Sequence, residues 1–324
     1  MDTRFDPLSD SFRFGEAWPL GATDAAAILQ IFQSGIDPAL AILEPSFHDA
    51  LELHHVRERL ARMLEADRSE AFGRRAAMVF AALDYFHARV PPPPLAQVHP
   101  AGQGAKLAQF LCRRSRESTR AIAPALLAEA GVLVCVPERW VPEALLTSSL
   151  RSAIENMGLF EVTEIELELK LPFPGGASWL RRQTLAELQK LRTHLDAGQP
   201  WPIVLIPENG DPFDARVMLA FRYEPAGSDA AKIHCYDPSL PAEFQALQMD
   251  LRESAAVVGS LSGALQGFHL QGLLCCDYEP TEPPLSFFFR LVHRLWPWTI
   301  VWFAWRSLRG WKLRRAGRRR NPGL

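Results

Sequence analysis

Residues 72–86 read FGRRAAMVFAALDYF, and this stretch decides what kind of fold the chain can adopt. From Ala76 onward its apolar side chains fall on nearly every side of a helix, whereas a surface helix would keep one polar face. We therefore predict a helix that runs through the core, beginning near Arg75 after Gly73. The prolines at 91–94 end it, because proline removes a backbone donor and disfavours helical geometry in the preceding residue.

Further helices and then strands are predicted around this core helix. Apolar residues recur at spacings of three and four at 23–33 and 47–66, and further helical segments are predicted at 106–117, 122–129, 143–156 and 178–195. Short apolar runs bounded by Gly, Pro, Asn or Asp follow at 202–206, 217–221, 232–236 and 267–276, as is typical of strands. Helices first and strands later indicate an α+β fold, with a helical N-terminal half packed on a C-terminal antiparallel sheet.

Composition narrows the class of protein. The 324 residues are 48% hydrophobic and 22% charged, which is enough to build a core and excludes disorder of the whole chain. No secretory signal pattern is visible at the start. The cysteines lack the paired spacing of a disulfide framework or a zinc site, so we expect a reducing cytoplasm and neither a cofactor nor a metal. These cysteines are Cys112, Cys135, Cys235, Cys275 and Cys276.

The stretch 72–86 resembles the catalytic helix of an uncharacterised bacterial family of papain-like, double-glycine-peptidase-like cysteine peptidases. In that family the helix opens with Gly-x-Cys-Gly-Gly-Met and continues with a similar Ala-Leu-Asp-Tyr-Phe pattern. By this resemblance Arg75 stands in place of the cysteine, and Ala76 and Ala77 stand in place of the two glycines.

Two later segments extend the resemblance. Residues 216–223 read RVMLAFRY, similar to the family's Asn-His-Gln-Val-Leu-Ala-Tyr-Gly-Tyr pattern, so that Arg216 replaces the histidine and Ala215 the asparagine. The family's Tyr-Asp-Pro pattern is retained at 236–238, and there Asp237 would orient the histidine. The likeness covers about residues 70–280 and implies a papain-like α+β domain at 1–280, followed by a tail at 281–324.

Arginine cannot perform the chemistry that this resemblance would require. The reaction needs a thiolate, and a histidine that gives and takes a proton, whereas a guanidinium has no usable lone pair and stays protonated. We therefore expect a catalytically inactive pseudopeptidase that acts as a binding protein. The alternative is an active cysteine hydrolase or transferase with another nucleophile. Cys112 has arginines nearby that would lower its pKa, whereas Cys235 and His234 should face opposite sides of a strand.

The substituted positions suggest a ligand site. With Arg75 at a helix N-terminus and Arg216 beside Asp237, the old cleft could hold a peptide, a carboxylate or a phosphate. We favour the simpler interpretation, in which Arg216 and Asp237 form an internal ion pair that plugs the cleft. The histidines at 48, 54 and 55 are taken as a solvated polar face, because their spacing does not fit a metal site well.

The tail has an unusual composition. Residues 306–320 are rich in Lys and Arg with no acid, and the apolar run 295–305 is only eleven residues long. That run is too short to span a bilayer, so we predict an aromatic and basic helix that lies on an anionic membrane at its cytoplasmic face. Docking on a protein partner is the next choice, and nucleic acid is disfavoured. The membrane-contact candidates are Trp296, Trp298, Trp302, Trp305, Trp311, Arg314 and Arg315.

Overall fold

A computed structural model describes residues 3–15, 18–44, 50–64, 66–93, 95, 98, 104–135, 176–207, 210–225, 230–241, 244–250, 258–262 and 268–284. The chain divides into two compact units, Met1–Glu282 and Pro283–Leu324. Apart from Pro283 and Pro284, the second unit lies outside the described residues. The same holds for the helix predicted at 143–156, for the C-terminal helix and for all seven membrane-contact candidates.

Within the described residues, six helices precede the strands; the short first helix was not predicted, and the other five lie where the sequence predicts helices. They are α1 (Pro7–Asp10), α2 (Ala22–Leu43), α3 (Ala50–Met63), α4 (Ala66–His87), α5 (Ala105–Cys135) and α6 (Gly176–Asp196). The predicted helices at 106–117 and 122–129 are joined into the single helix α5, which contains Pro124. The α+β class is confirmed.

Helix α4 is the predicted core helix, but its start is not where the sequence placed it. Residues 76–83 are all buried, between α2 and α5 on one side and the sheet on the other. The helix begins at Ala66, nine residues before Arg75, so the expectation of Arg75 at a helix N-terminus is wrong. Gly73 therefore lies inside the helix and does not precede it; a Cβ there would lie 2.5 Å from Ile28 Cδ1 on α2, which indicates that glycine permits close helix packing.

In the described part of the chain, six antiparallel strands follow in chain order. They are β1 (Trp201–Pro207), β2 (Arg216–Pro225), β3 (Ala230–Tyr236), β4 (Phe244–Asp250), β5 (Val258–Ser262) and β6 (His269–Cys275). Each strand pairs with the next, and β6 also pairs with β1, so the predicted sheet closes into a barrel. Closure removes the exposed edges of the sheet. Strands β4 and β5 were not predicted.

The barrel interior is apolar and includes side chains from α6. Alternate residues of each strand face inward, among them Ile203, Met218, Ile233 and Leu247. Helix α6 adds its leucines to the same core. The outward face of β2 packs against α4, so the barrel and the helical layer share a second core.

An aromatic N-terminal segment, residues 3–15, is bound to both layers. Thr3 N donates to Phe221 O of β2 at 3.1 Å. Phe5 packs near Phe86 of α4 and Tyr236 of β3, and Phe12 packs edge-on against Tyr85 at 5.8 Å. The segment thus joins helix α4 to strands β2 and β3.

Helix α2 is, among the described helices, the one long and apolar enough to cross a membrane by length and composition. The core helix of a soluble protein meets the same criteria. In this chain α2 buries Ile28, Phe32 and Leu43, and it packs against α4 and α5.

Candidate functional site

Arg75 connects α4 to the loop between β1 and β2. Its Nη2 donates to the carbonyl oxygens of Phe213 at 3.0 Å and Ala215 at 3.4 Å. Two helical turns earlier in α4, Arg68 forms ion pairs with Asp211 and Asp214 at 2.6 and 2.7 Å. Both arginines lie on one face of α4, so they hold this loop and the residue just before Arg216 against the helix.

Arg216 and Asp237 form the ion pair that the sequence predicts. Arg216 Nη1 lies 3.5 Å from Asp237 Oδ2 and 3.1 Å from Ser239 Oγ. Asp237 is completely buried, and its Oδ1 accepts hydrogen bonds from Ser239 N at 2.8 Å and Ser239 Oγ at 2.5 Å. The aspartate therefore holds the turn after β3 and reaches Arg216 with its second oxygen.

Arg75, Arg216 and Asp237 thus come together at the start of β2, but their contacts are separate. Arg75 bonds to the carbonyl group that precedes Arg216, and Arg216 reaches Asp237. Each guanidinium has its own protein partners. The sequence suggested that the two guanidinium groups could converge on one anion. In the structure they do not converge, because Arg75 donates to backbone carbonyl oxygens and Arg216 pairs with Asp237.

A third polar residue, Gln245, lies at the same end of the barrel. It pairs with Cys235 across β3 and β4, and both side chains face the interior. Gln245 is fully buried, and neither Nε2 nor Oε1 has a hydrogen-bond partner among the described residues. Local sequence held no signal for it, since one glutamine in residues 244–250 looks like any other until the strand register is known.

Asp84, within the stretch that carries the family resemblance, has a structural role here. It is buried, and its two oxygens accept hydrogen bonds from Arg114 Nε at 2.7 Å and Nη2 at 2.8 Å. Tyr278 Oη and Thr281 N also donate to it. Burial raises the pKa of Asp84 to about 6, and the Arg114 guanidinium opposes that rise. This network attaches the segment after β6 to α4 and α5.

Another buried acid, Glu129 of α5, lies beside Glu187 of α6. Burial and the Glu187 carboxylate raise the pKa of Glu129 well above its ordinary value. Glu187 itself accepts hydrogen bonds from Lys190 Nζ at 2.5 Å and from Cys275 N at 3.0 Å. A Cβ at Gly272 would lie 2.5 Å from Glu129 Oε2, so glycine makes room for this carboxyl group.

Each cysteine side chain that the structure describes has a raised pKa, which disfavours the thiolate. Burial raises the pKa of Cys112 to about 11 and that of Cys275 to about 12, and it raises the pKa values of Cys235 and Cys276 as well. The expected lowering at Cys112 is wrong, because burial and the nearby Asp24 outweigh Arg116. His234 faces Glu224 at 3.4 Å, away from the barrel interior where Cys235 lies.

Side chains that could bind a metal ion are the remaining feature of the site. Within the described parts of the chain, no group of three or more His, Cys, Asp or Glu side chains is placed to hold a metal ion. His54 lies on an exposed face of α3 at 3.4 Å from Glu58, as the polar-face interpretation predicts.

The chain matches no model of a known protein family, no curated protein and no solved structure.

Proposed function

We propose that this chain is a catalytically inactive, papain-like pseudopeptidase domain that binds a ligand or partner at a cytoplasmic membrane surface. The observation that carries the proposal is that the positions equated with the catalytic cysteine and histidine hold arginines, Arg75 and Arg216, that are bonded to the protein itself. Arg75 bonds to the carbonyls of the β1–β2 loop, and Arg216 bonds to the side chains after β3. A guanidinium can stabilise such contacts but cannot act as a nucleophile or a base.

The placement of these residues supports the papain-like part of the proposal. A helix side chain, the first residue of β2 and the residue after β3 meet within one small region. These are the positions that the resemblance equates with cysteine, histidine and aspartate. In this chain the same region is used for packing and pairing.

Among the residues that the structure describes, no contact favours the alternative, an active hydrolase or transferase with another cysteine. Thiolates are the reactive form of cysteine, and burial disfavours that form at each cysteine side chain described. His234, the histidine adjacent to Cys235 in sequence, faces away from it.

The experiment is a combined hydrolysis and thiol-labelling assay on the full chain. We expect no turnover of a mixed peptide library, and iodoacetamide labelling slower than that of a free cysteine at pH 8. Single Cys→Ser variants of all five cysteines should behave like the parent. Rapid labelling of one cysteine, with turnover that disappears in the matching Cys→Ser variant, would contradict the proposal.

A further inference from the structure

One end of the barrel carries a set of inward-facing polar side chains. Arg216 opens β2, Asp237 follows the last residue of β3, and Gln245 is the second residue of β4. Because neighbouring strands are antiparallel, the start of β2, the end of β3 and the start of β4 lie at the same end. Together with Ser239, which bonds to both Asp237 and Arg216, we name these residues the polar barrel end.

The strand alternation places these side chains toward the interior. Arg216 shares its face of β2 with Met218, and Gln245 shares its face of β4 with Leu247, and both hydrophobic residues belong to the barrel core. Leucines complete this end: Leu205 near the end of β1, Leu261 near the end of β5 and Leu270 near the start of β6. The polar barrel end thus has three strands with polar groups and three with apolar ones.

Gln245 is the feature that points to a ligand. Its carboxamide has no exposed surface, and its nitrogen and oxygen both lack hydrogen-bond partners among the described residues. Burial of an unpaired amide is unfavourable, and a leucine would suit the same apolar core better. The carboxamide carries one donor group and one acceptor, and both remain available for a hydrogen bond with a ligand.

Arg216 is the second feature, because its ion pair is loose. Its 3.5 Å contact with Asp237 is longer than the 2.7 and 2.8 Å contacts between Arg114 and Asp84. One quarter of the Arg216 side chain is exposed, and its guanidinium lies 5.7 Å from the Phe268 ring centre. Asp237 Oδ1 is already engaged by Ser239, so the aspartate does not use the two-point geometry that guanidinium prefers with a carboxylate.

We infer that the polar barrel end binds a small organic carboxylate with an N–H donor beside the carboxylate, and N-acyl amino acids are the simplest members of this class. The carboxylate pairs with Arg216. The N–H donates to Gln245 Oε1, while Gln245 Nε2 donates to a ligand oxygen. An apolar ligand side chain lies against the leucines. The inference rests on the proposed non-catalytic binding function and names its ligand class.

The test is calorimetric titration of the full chain with N-acetyl-leucine, and with N-acetyl-leucine amide, which lacks the carboxylate. We expect binding of the acid, with affinity at least about tenfold weaker for the amide because a charge-assisted contact is lost. Gln245→Leu and Arg216→Met should each weaken binding of the acid by a similar factor. The matched control is Gln248→Leu, an exposed glutamine on the opposite face of β4, which should bind as the parent does.

The variants also need a folding readout. Gln245→Leu should unfold cooperatively, at or above the melting temperature of the parent, because leucine suits the barrel core. If it does not fold, Gln245→Met offers an unbranched side chain of similar length for the same titration. Binding by either variant that equals the parent's, or no binding by the parent at millimolar ligand, would overturn the inference.

The outcomes separate this inference from the proposed function. Turnover of N-acetyl-leucine 4-nitroanilide by the parent would contradict the non-catalytic proposal, whatever the titration of the acid shows. Absence of both turnover and binding would overturn the ligand assignment alone.

Discussion

Two buried carboxyl groups differ because their surroundings differ. Asp84 lies against the Arg114 guanidinium and accepts hydrogen bonds from Tyr278 and Thr281. Glu129 has another carboxylate, Glu187, as the neighbour that shifts its pKa. An opposite charge compensates burial, whereas a like charge adds to its unfavourable effect. We therefore expect opposite responses when the charge of each site is removed.

Replacing Glu129 with Gln should stabilise the protein at pH 8 but not at pH 4. The folded-state pKa of Glu129 lies above its ordinary value of 4.5, so the unfolded chain loses this proton first as the pH rises. The parent therefore loses stability above about pH 4.5, until the pH passes the folded-state pKa. Glutamine cannot lose that proton. Urea unfolding at both pH values measures the difference.

Glu58→Gln provides the control for this prediction. Glu58 is an exposed residue of α3, and its substitution should change the free energy of unfolding by less than about 0.5 kcal/mol at either pH. A loss of stability in Glu129→Gln at pH 8 would contradict a raised folded-state pKa of Glu129.

Replacing Arg114 with Met should lower the free energy of unfolding by about 3–5 kcal/mol, because Asp84 would remain buried without its cation. The neighbouring Arg113 is half exposed, and Arg113→Met should change it by less than about 0.5 kcal/mol. Chemical denaturation of both variants measures the contrast. Equal effects of the two substitutions would mean that the Asp84 network does not stabilise the fold.

At the scale of elements, one face of helix α4 holds the β1–β2 loop and the start of β2 in place. Arg68 and Arg75 hold the β1–β2 loop, and Phe72 between them packs on Phe32 of α2 at 5.3 Å. Phe213 of that loop packs on the same Phe32 at 4.9 Å. The start of β2 is therefore positioned by the helix as well as by strand pairing.

Arg75→Met should loosen this loop without unfolding the domain. The substitution removes the hydrogen bonds to the Phe213 and Ala215 carbonyls, so amide hydrogen exchange at 210–215 should become at least about tenfold faster, as expected for local opening. Arg74→Met, next in the chain and paired with Glu70, should leave exchange in that loop unchanged. Unchanged exchange in Arg75→Met would show that Arg68 and Phe213 suffice to hold the loop.

At the scale of the whole molecule, the division into units falls just before the aromatic and basic tail. We predict that the full chain co-sediments with anionic vesicles at low salt, less at high salt, and little with neutral vesicles, because screening weakens attraction between cations and headgroups. A variant ending at Pro284 should not bind. Vesicle binding that persists after truncation would place the membrane contact in the first unit, and no binding by either would favour a protein partner.

Local sequence was sufficient to predict an element where its residue types are compatible with only one kind of secondary structure. The apolar run of α4, the prolines after it and the short apolar runs of β1 and β2 each predict their element, because few structures satisfy them. The pairing of Arg216 with Asp237 followed from a resemblance and was then found in the structure. Strand β4, FQALQMD, was missed because Gln, Ala, Leu and Met also favour helices.

By itself, the sequence determined that this chain has a helical core followed by strands, and that positions 75 and 216 carry guanidinium groups without nucleophilic chemistry. Only the tertiary structure decided where α4 begins, that the described strands β1 to β6 close into a barrel, and that Gln245 is buried at the barrel end that also holds Arg216 and Asp237. These features depend on strand register and helix contacts between residues far apart in the chain. Such contacts leave no local periodicity, because each is set by two segments together.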